Sequence, residues 1–238
     1  LHRTGTSRST LISQTKPNHH QSTAACSADQ HAMAAAPLIL IGAGGHALIV
    51  AEACRALNRP ILGVLDDRAD APAITRLGLP RLGGLRDAPS SSAWILCVGD
   101  VHVRAALIAA LKTPSTAEPV VHPSAVIAPS AALGVGVFVG PRAVVHSFAK
   151  VEAHAIINTG AIIEHDCVIG RNTHVAPGSV VAGSTGIGAD CLLGVGCRVL
   201  PRLRIGDGCT VGAGSVVLRD VPSSTRVVGV PARSMDAR

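Results

Sequence analysis

The stretch from Ile162 to Gly178, IIEHDCVIGRNTHVAPG, sets two histidines, His165 and His174, in an aliphatic run and flanks the first with Glu164 and Asp166. Imidazole is the side chain that takes up a proton near neutral pH, and an adjacent carboxylate can orient the ring and stabilise its charged form. Either acid could serve His165 in this way. Such a pair suits proton removal from a nucleophile attacking an acyl carbon, if a backbone N–H lies near enough to receive the developing negative charge. On local grounds His174 could equally be a surface residue or a subunit contact.

A second group of residues lies near the start of the ordered sequence. Gly42, Gly44, Gly45 and His46 fall in GAGGHA, immediately after the apolar run LILI. Amides at such a strand-to-helix turn can hold an anionic or sugar-nucleotide group, with Asp66 or Asp67 available for a ribose or base. The glycines alone also fit a tight turn with no ligand, because GAGGHA lacks the full dinucleotide spacing. Gly99 and Asp100 end a later apolar run, WILCVGD, and complete this set.

The elements that position the second group read as a small parallel α/β domain. Strands are expected at Leu38–Ile41, in PILGVLDD and in WILCVGD, with helices from about His46 to Leu57 and through Arg104 to Leu111. Gly42, His46, Asp66 and Asp100 would then share the carboxyl ends of the strands, the ligand edge of such sheets.

The first group sits in a different regime. From Val121 to Val217 every sixth residue is Val, Ile or Leu without interruption, and a mostly small residue follows each by four positions. Neither a helix nor a plain strand has this period. A triangular solenoid does: each hexad forms one flat wall, three hexads close one coil, and the aliphatic residue points inward. Glycine, Asn and Asp supply the turns. A narrow interior lined by branched aliphatics also accounts for an aromatic content of only 1%.

One coil is three hexads, so His165 falls beneath Gly183, where the coil above carries no side chain. His165 is expected outward at a corner, and His174, just before inward Val175, on the outer surface facing a groove or a neighbour. Asn158 could cap a turn or line the same groove. His146 and His154 have no flanking acid and read as structural. Cys167, Cys191, Cys197 and Cys209 occupy the small inward position and read as packing residues. Arg198, Arg202 and Arg204 could meet ligand phosphates or form a solvated surface.

Composition removes other classes. The formal charge of +6 comes with no basic run or aromatic interleaving, which argues against nucleic acid. The seven cysteines show no CxxC or metal spacing, so a reducing, cytoplasmic location with no metal is expected. No stretch reaches a membrane-spanning length. Residues 1–36 read as a disordered leader or extension, since MAAAPLILIG from Met33 resembles a natural start. The expected division is 37–115 for the α/β domain, 116–222 for the solenoid and 223–238 for a closing segment.

The stretches LIGAGGHA, GVLDD, CVGDVHVR, IIEHDCVIG, HVAPGSVVAG and GVPAR together resemble the hexapeptide-repeat acyltransferases, in particular the sugar acetyltransferases of the PglD or NeuD type. The resemblance implies a small Rossmann-like nucleotide-sugar-binding domain followed by a left-handed parallel β-helix. It implies an acetyl-CoA-dependent transfer to the amine of a nucleotide-linked amino sugar of the UDP-4-amino-sugar type. His165 would be the base, Asp166 its support and the Gly183 amide the oxyanion donor. His174 would lie near the thioester, with Gly183, Asn158 and Arg233 as further donor contacts. Gly42, Gly44, Gly45, His46, Asp66, Asp67 and Gly99 would hold the nucleotide sugar. The family's homotrimer would place active sites between subunits. Sugar O-acetylation, a longer acyl donor and a non-catalytic binding scaffold remain open alternatives. A carbonic-anhydrase-like prism would need three metal histidines, a pattern absent from the sequence.

Overall fold

The computed structural model describes residues 2, 36–89, 92–111 and 115–235. The leader expected over residues 1–36 therefore falls outside the described residues, apart from positions 2 and 36.

The first part is an α/β unit: β1 (Leu38–Ile41), α1 (Gly45–Ala56), β2 (Ile61–Leu65), α2 (Pro72–Leu77), β3 (Arg81–Gly83), β4 (Ala93–Leu96) and α3 (Val101–Ala110). Its sheet runs β3-β2-β1-β4, all parallel. The apolar run of β1 is fully buried, as a central parallel strand requires. Two elements, α2 and β3, occupy what the sequence reads as a mere connection. Both are too short for a period to stand out: α2 packs only Ala73, Ile74 and Leu77 on the core, and β3 is mostly exposed. Pro72 opens α2 and left-handed Gly78 closes it.

The second part is a parallel β-solenoid of hexapeptide repeats. Seventeen two-residue strands, β5 (Val120–Val121) to β21 (Val216–Val217), recur at every hexad. Each pairs with the strand one coil away, as Ile162 does with Val144 and Val180. The walls are a six-stranded sheet containing β12 (Ile162–Ile163), a five-stranded sheet containing β13 (Val168–Ile169) and an eight-stranded sheet containing β14 (His174–Val175). From Val139 to Val217 the inward aliphatics are at most 2% exposed. Each such side chain contributes roughly 1.5–3 kcal/mol on burial. The inward polar residues are satisfied by the next coil: Thr173 Oγ1 donates to Gly188 O (2.7 Å) and Ser179 Oγ to Gly194 O (2.8 Å). The inward thiols are packing groups, and burial raises that of Cys191 to about 11.

After β21 the coil shortens. Val221 bridges Ile205, and β22 (Arg226–Val228) pairs with Thr210–Val211 before β23 (Arg233–Ser234) folds back antiparallel. The α/β unit lies on the eight-stranded wall, where outward Phe138 and Ile156 are buried in one cluster with Leu38 and Val50.

Candidate active site

His165 stands on the turn between β12 and β13, at the corner of the six- and five-stranded walls. Its ring projects outward, half exposed, and Nδ1 lies 2.8 Å from Asp166 Oδ2. A carboxylate only accepts, so Nδ1 carries the proton and the Nε2 lone pair is free. Asp166, not Glu164, forms this pair. Asp166 reaches the ring because its backbone is left-handed (φ 57°). A Cβ added at Gly183 would lie 2.6 Å from His165 Nε2, so glycine there is a demand of space. Among the described residues nothing accepts from the Gly183 N–H, whereas the flanking Ala182 and Ser184 amides donate to Val199 O and His165 O. The expected base, its carboxylate and a free amide therefore share one corner.

From Asp166 a groove of about 900 Å³ runs along the five-stranded wall toward the C-terminal coils, past Gly186, Arg202, Arg204 and Asp207 to Pro222. Arg198 instead stands outward on the six-stranded wall and donates to Gly196 O. Arg233 lines a smaller cavity that shares Asp220, Val221 and Pro222 with the groove's far end.

All seven residues expected to hold the substrate line a separate cleft of about 380 Å³: Gly42, Gly44, Gly45, His46, Asp66, Asp67 and Gly99. It sits at the carboxyl ends of β1, β2 and β4. Gly42 has φ 97°, and a Cβ there would meet Val98 Cγ2 at 2.7 Å. The carboxylates do more structural work than the sequence indicates. Asp66 accepts from the Ala43 and Arg68 amides, and Asp67 from the Leu85 amide. They brace the loops that shape the cleft. Asp100, expected at this edge, caps α3 by accepting from His102 N and Val103 N. His46 is half-buried with its ring edge against Phe138, and loss of solvation lowers its pKa to about 3. Among the described residues its Nε2 has no hydrogen-bond partner.

His174 corrects the expectation of an outward residue facing a groove or a neighbour. It does point away from the solenoid core, but the α/β unit covers its wall and leaves it 9% exposed. Asn158 Oδ1 accepts from Thr159 N, so its amide nitrogen donates to His174 Nε2 (3.0 Å). The His174 Nδ1–H then donates to Gly99 O (3.0 Å). Both ring nitrogens are thus engaged, and burial, then Arg104, lowers the pKa to about 4. Asn158 takes the turn-capping role within the chain. Within one chain, His174 and Asn158 lie across the solenoid from the corner of His165.

Sequence reasoning missed the seam between the two parts. Arg104, fully buried, donates to Asn172 Oδ1 (2.8 Å), Asn172 O (2.6 Å), Val98 O (3.0 Å) and Gly99 O (3.2 Å). Trp94 stacks on His154 with ring centroids 5.6 Å apart. Arg104 closes the stretch CVGDVHVR, but nothing in that stretch points to a partner on the solenoid; the lone Trp in a nearly ring-free chain was the other available signal.

A model of the PglD N-terminal domain matches residues 37–111, and one of the bacterial transferase hexapeptide (six repeats) matches 148–183 and 184–219. The structure is similar to the acetyltransferase domain of PglB from Neisseria gonorrhoeae FA1090, with 32% identity and a TM-score of 0.76 over 84% of this chain and 100% of that one. The chain belongs to the hexapeptide-repeat acetyltransferases. That PglB domain has also been solved with acetyl coenzyme A. A second relative of this hexapeptide-repeat acetyltransferase is perosamine N-acetyltransferase from Caulobacter crescentus, a variant of which was solved with CoA and GDP-perosamine. It shares 36% identity and a TM-score of 0.74, over 84% of this chain and 96% of that one. The match to serine acetyltransferase from Synechococcus elongatus is 58% identical but spans 36 residues, 15% of either chain. The acetyltransferase shows, among its described residues, no group of three or more His, Cys, Asp or Glu side chains that could hold a metal ion, and no helix long and apolar enough to cross a membrane.

Proposed function

We propose that the protein transfers the acetyl group of acetyl-CoA to the amine of a nucleoside-diphosphate-linked amino sugar. The observation that carries this reading is the Asp166–His165 pair lying against Gly183. Acetyl-CoA supplies an activated acyl carbon as a thioester. The groove beside Asp166 suits such a molecule, being long, floored by Gly186 and Gly188 and bearing Arg202 and Arg204 for phosphates. His165 Nε2 accepts the proton of the attacking amine. Asp166 holds the proton on Nδ1 and stabilises the resulting imidazolium. The Gly183 N–H offers a hydrogen bond to the acyl oxygen as charge gathers there. As the C–N bond forms and the C–S bond breaks, the proton on His165 is available to the departing thiolate.

The glycine cleft is the proposed seat of the nucleotide, and the C. crescentus relative's complex with GDP-perosamine supports it. That cleft belongs to the α/β unit, which lies on the eight-stranded wall, while His165 stands at the opposite corner. One active site on this reading therefore combines the cleft of one copy with the corner of another. A homotrimer accomplishes this and covers the outward apolar stripe Val126, Val144, Ile162 and Val180 of the six-stranded wall, which ends at Arg198.

The test is thiol release from acetyl-CoA with UDP- and GDP-linked 4-amino sugars and their 4-hydroxy counterparts, with His165→Ala run in parallel. Turnover is expected with an amino sugar and should fall by about 10²–10⁴ in the variant. Full activity in His165→Ala would overturn the base assignment, and turnover of the hydroxy sugars alone would overturn N-transfer.

A further inference from the structure

From Gly136 to Gly214 the second turn residue at every corner of the solenoid adopts a left-handed backbone, which disfavours bulky side chains. The corner between the eight- and six-stranded walls meets this demand with Gly160, Gly178, Gly196 and Gly214, Arg142 being the exception. The corner toward the α/β unit carries His154, Asn172 and Asp190, and each has a partner: Trp94 for His154, Arg104 for Asn172, and Asn172 itself for Asp190. The His165 corner carries four consecutive non-glycine residues, Phe148, Asp166, Ser184 and Arg202. Side chains at this strained position mark a contact or a function.

Phe148 stands out among them. It has φ 60°, and it is 65% exposed in a chain with only two other aromatic residues of the Phe, Trp and Tyr type, Phe138 and Trp94, both buried. It lies one coil below Asp166, on a turn joined to the next by Asp166 N donating to Ser147 O (3.0 Å). Its own amide donates to Ser130 Oγ (3.2 Å), which holds the turn in place. The groove beside Asp166 runs the other way, toward the C-terminal coils, so a donor seated there leaves the N-terminal side of His165 to the acceptor. Phe148 is on that side.

We propose that Phe148 is a specificity-determining residue whose ring supports the apolar carbon face of the acceptor sugar while His165 takes the amine proton. The proposal rests on the acetyltransferase reading above. A flat ring favours a sugar presenting axial C–H groups or a deoxy methyl group over a fully hydroxylated one.

The experiment compares wild type, Phe148→Ala and Phe148→Asn in the thiol-release assay, with melting curves and sedimentation of each protein. Asn accepts the left-handed backbone, so Phe148→Asn should melt no lower than wild type. In both variants the KM for the amino-sugar acceptor is expected to rise about tenfold, with kcat within about twofold. The KM for acetyl-CoA should stay unchanged. An unchanged acceptor KM overturns the proposal. So does a raised KM for acetyl-CoA, which would seat the ring on the donor, or dissociation of the oligomer, which would seat it on a second copy. Absence of wild-type turnover with every acceptor would sink the function reading itself, and this proposal with it.

Discussion

At the scale of single residues, the candidate chemistry depends on space as much as on charge. The His165 ring occupies the volume that a side chain at residue 183 would need, with Nε2 only 2.6 Å from where a Cβ would stand. Gly183 is not among the glycines with left-handed φ, so alanine is acceptable to the backbone and objectionable only to the ring. Gly183→Ala is therefore expected to leave stability within about 0.5 kcal/mol of wild type, the usual range away from the core. It should lower kcat about a hundredfold by turning the imidazole away from Asp166 and the free amide. Steady-state kinetics beside a melting curve check both halves, and wild-type kcat in the variant would contradict the ring's position.

At the scale of elements, α3 is the bolt between the two parts. Its Arg104 crosses to Asn172, and Asn172 returns a hydrogen bond to Val101 O. Burial lowers the Arg104 pKa to about 10, which leaves the guanidinium charged at neutral pH. Among the described residues no carboxylate is hydrogen-bonded to it; four carbonyl-type acceptors satisfy its N–H groups. Arg104→Met would fill much of the volume but strand those acceptors, a loss of about 3 kcal/mol. Trp94, the only tryptophan, stacks on His154 at the same seam and reports the event directly. Urea titration followed by its fluorescence should show a midpoint shifted down in Arg104→Met. A coincident midpoint would mean that the seam does not depend on this residue.

At the scale of the whole molecule, three poorly solvated histidines make the seam sensitive to acid. Burial holds His154 and His174 at about 4 and His46 at about 3. An unfolded chain takes up protons on these groups near pH 6.5, so between about pH 4 and 6.5 it binds more protons than the folded one. Stability therefore rises with pH through that window, is complete above about pH 7 and is lost on acidification. Each histidine should cost about 1–2 kcal/mol between pH 7 and pH 5. Melting temperatures across that range, read by Trp94 fluorescence, check the sign, and a flat profile would contradict it. The proposed two-copy site makes a second prediction. Gly42→Val, whose side chain collides with Val98, should disable the cleft, and His165→Ala the base. Refolding the two inactive chains together should restore turnover, because a mixed oligomer pairs an intact cleft with an intact corner. Persistent inactivity of the mixture, with oligomers formed, would place both halves of the site in one chain.

Much of this molecule was legible before any coordinate. A solenoid places each residue against its counterparts one coil away, so a separation of three hexads in sequence becomes a contact in space. That rule alone predicted the uninterrupted walls, the inward cysteines and His165 beneath Gly183. The glycine turn and the carboxyl edge of a parallel sheet likewise brought Gly42, His46 and Asp66 to one cleft, whereas Asp100, expected beside them, caps α3 instead. Periodicity could say that Phe138, Ile156 and His174 point outward, but not that another domain covers them. Covering depends on the fit of two surfaces whose residues are far apart in sequence and share no repeat. Only the tertiary structure joined Arg104 to Asn172, gave both nitrogens of His174 to Asn158 and Gly99, and set cleft and base on opposite sides of one chain.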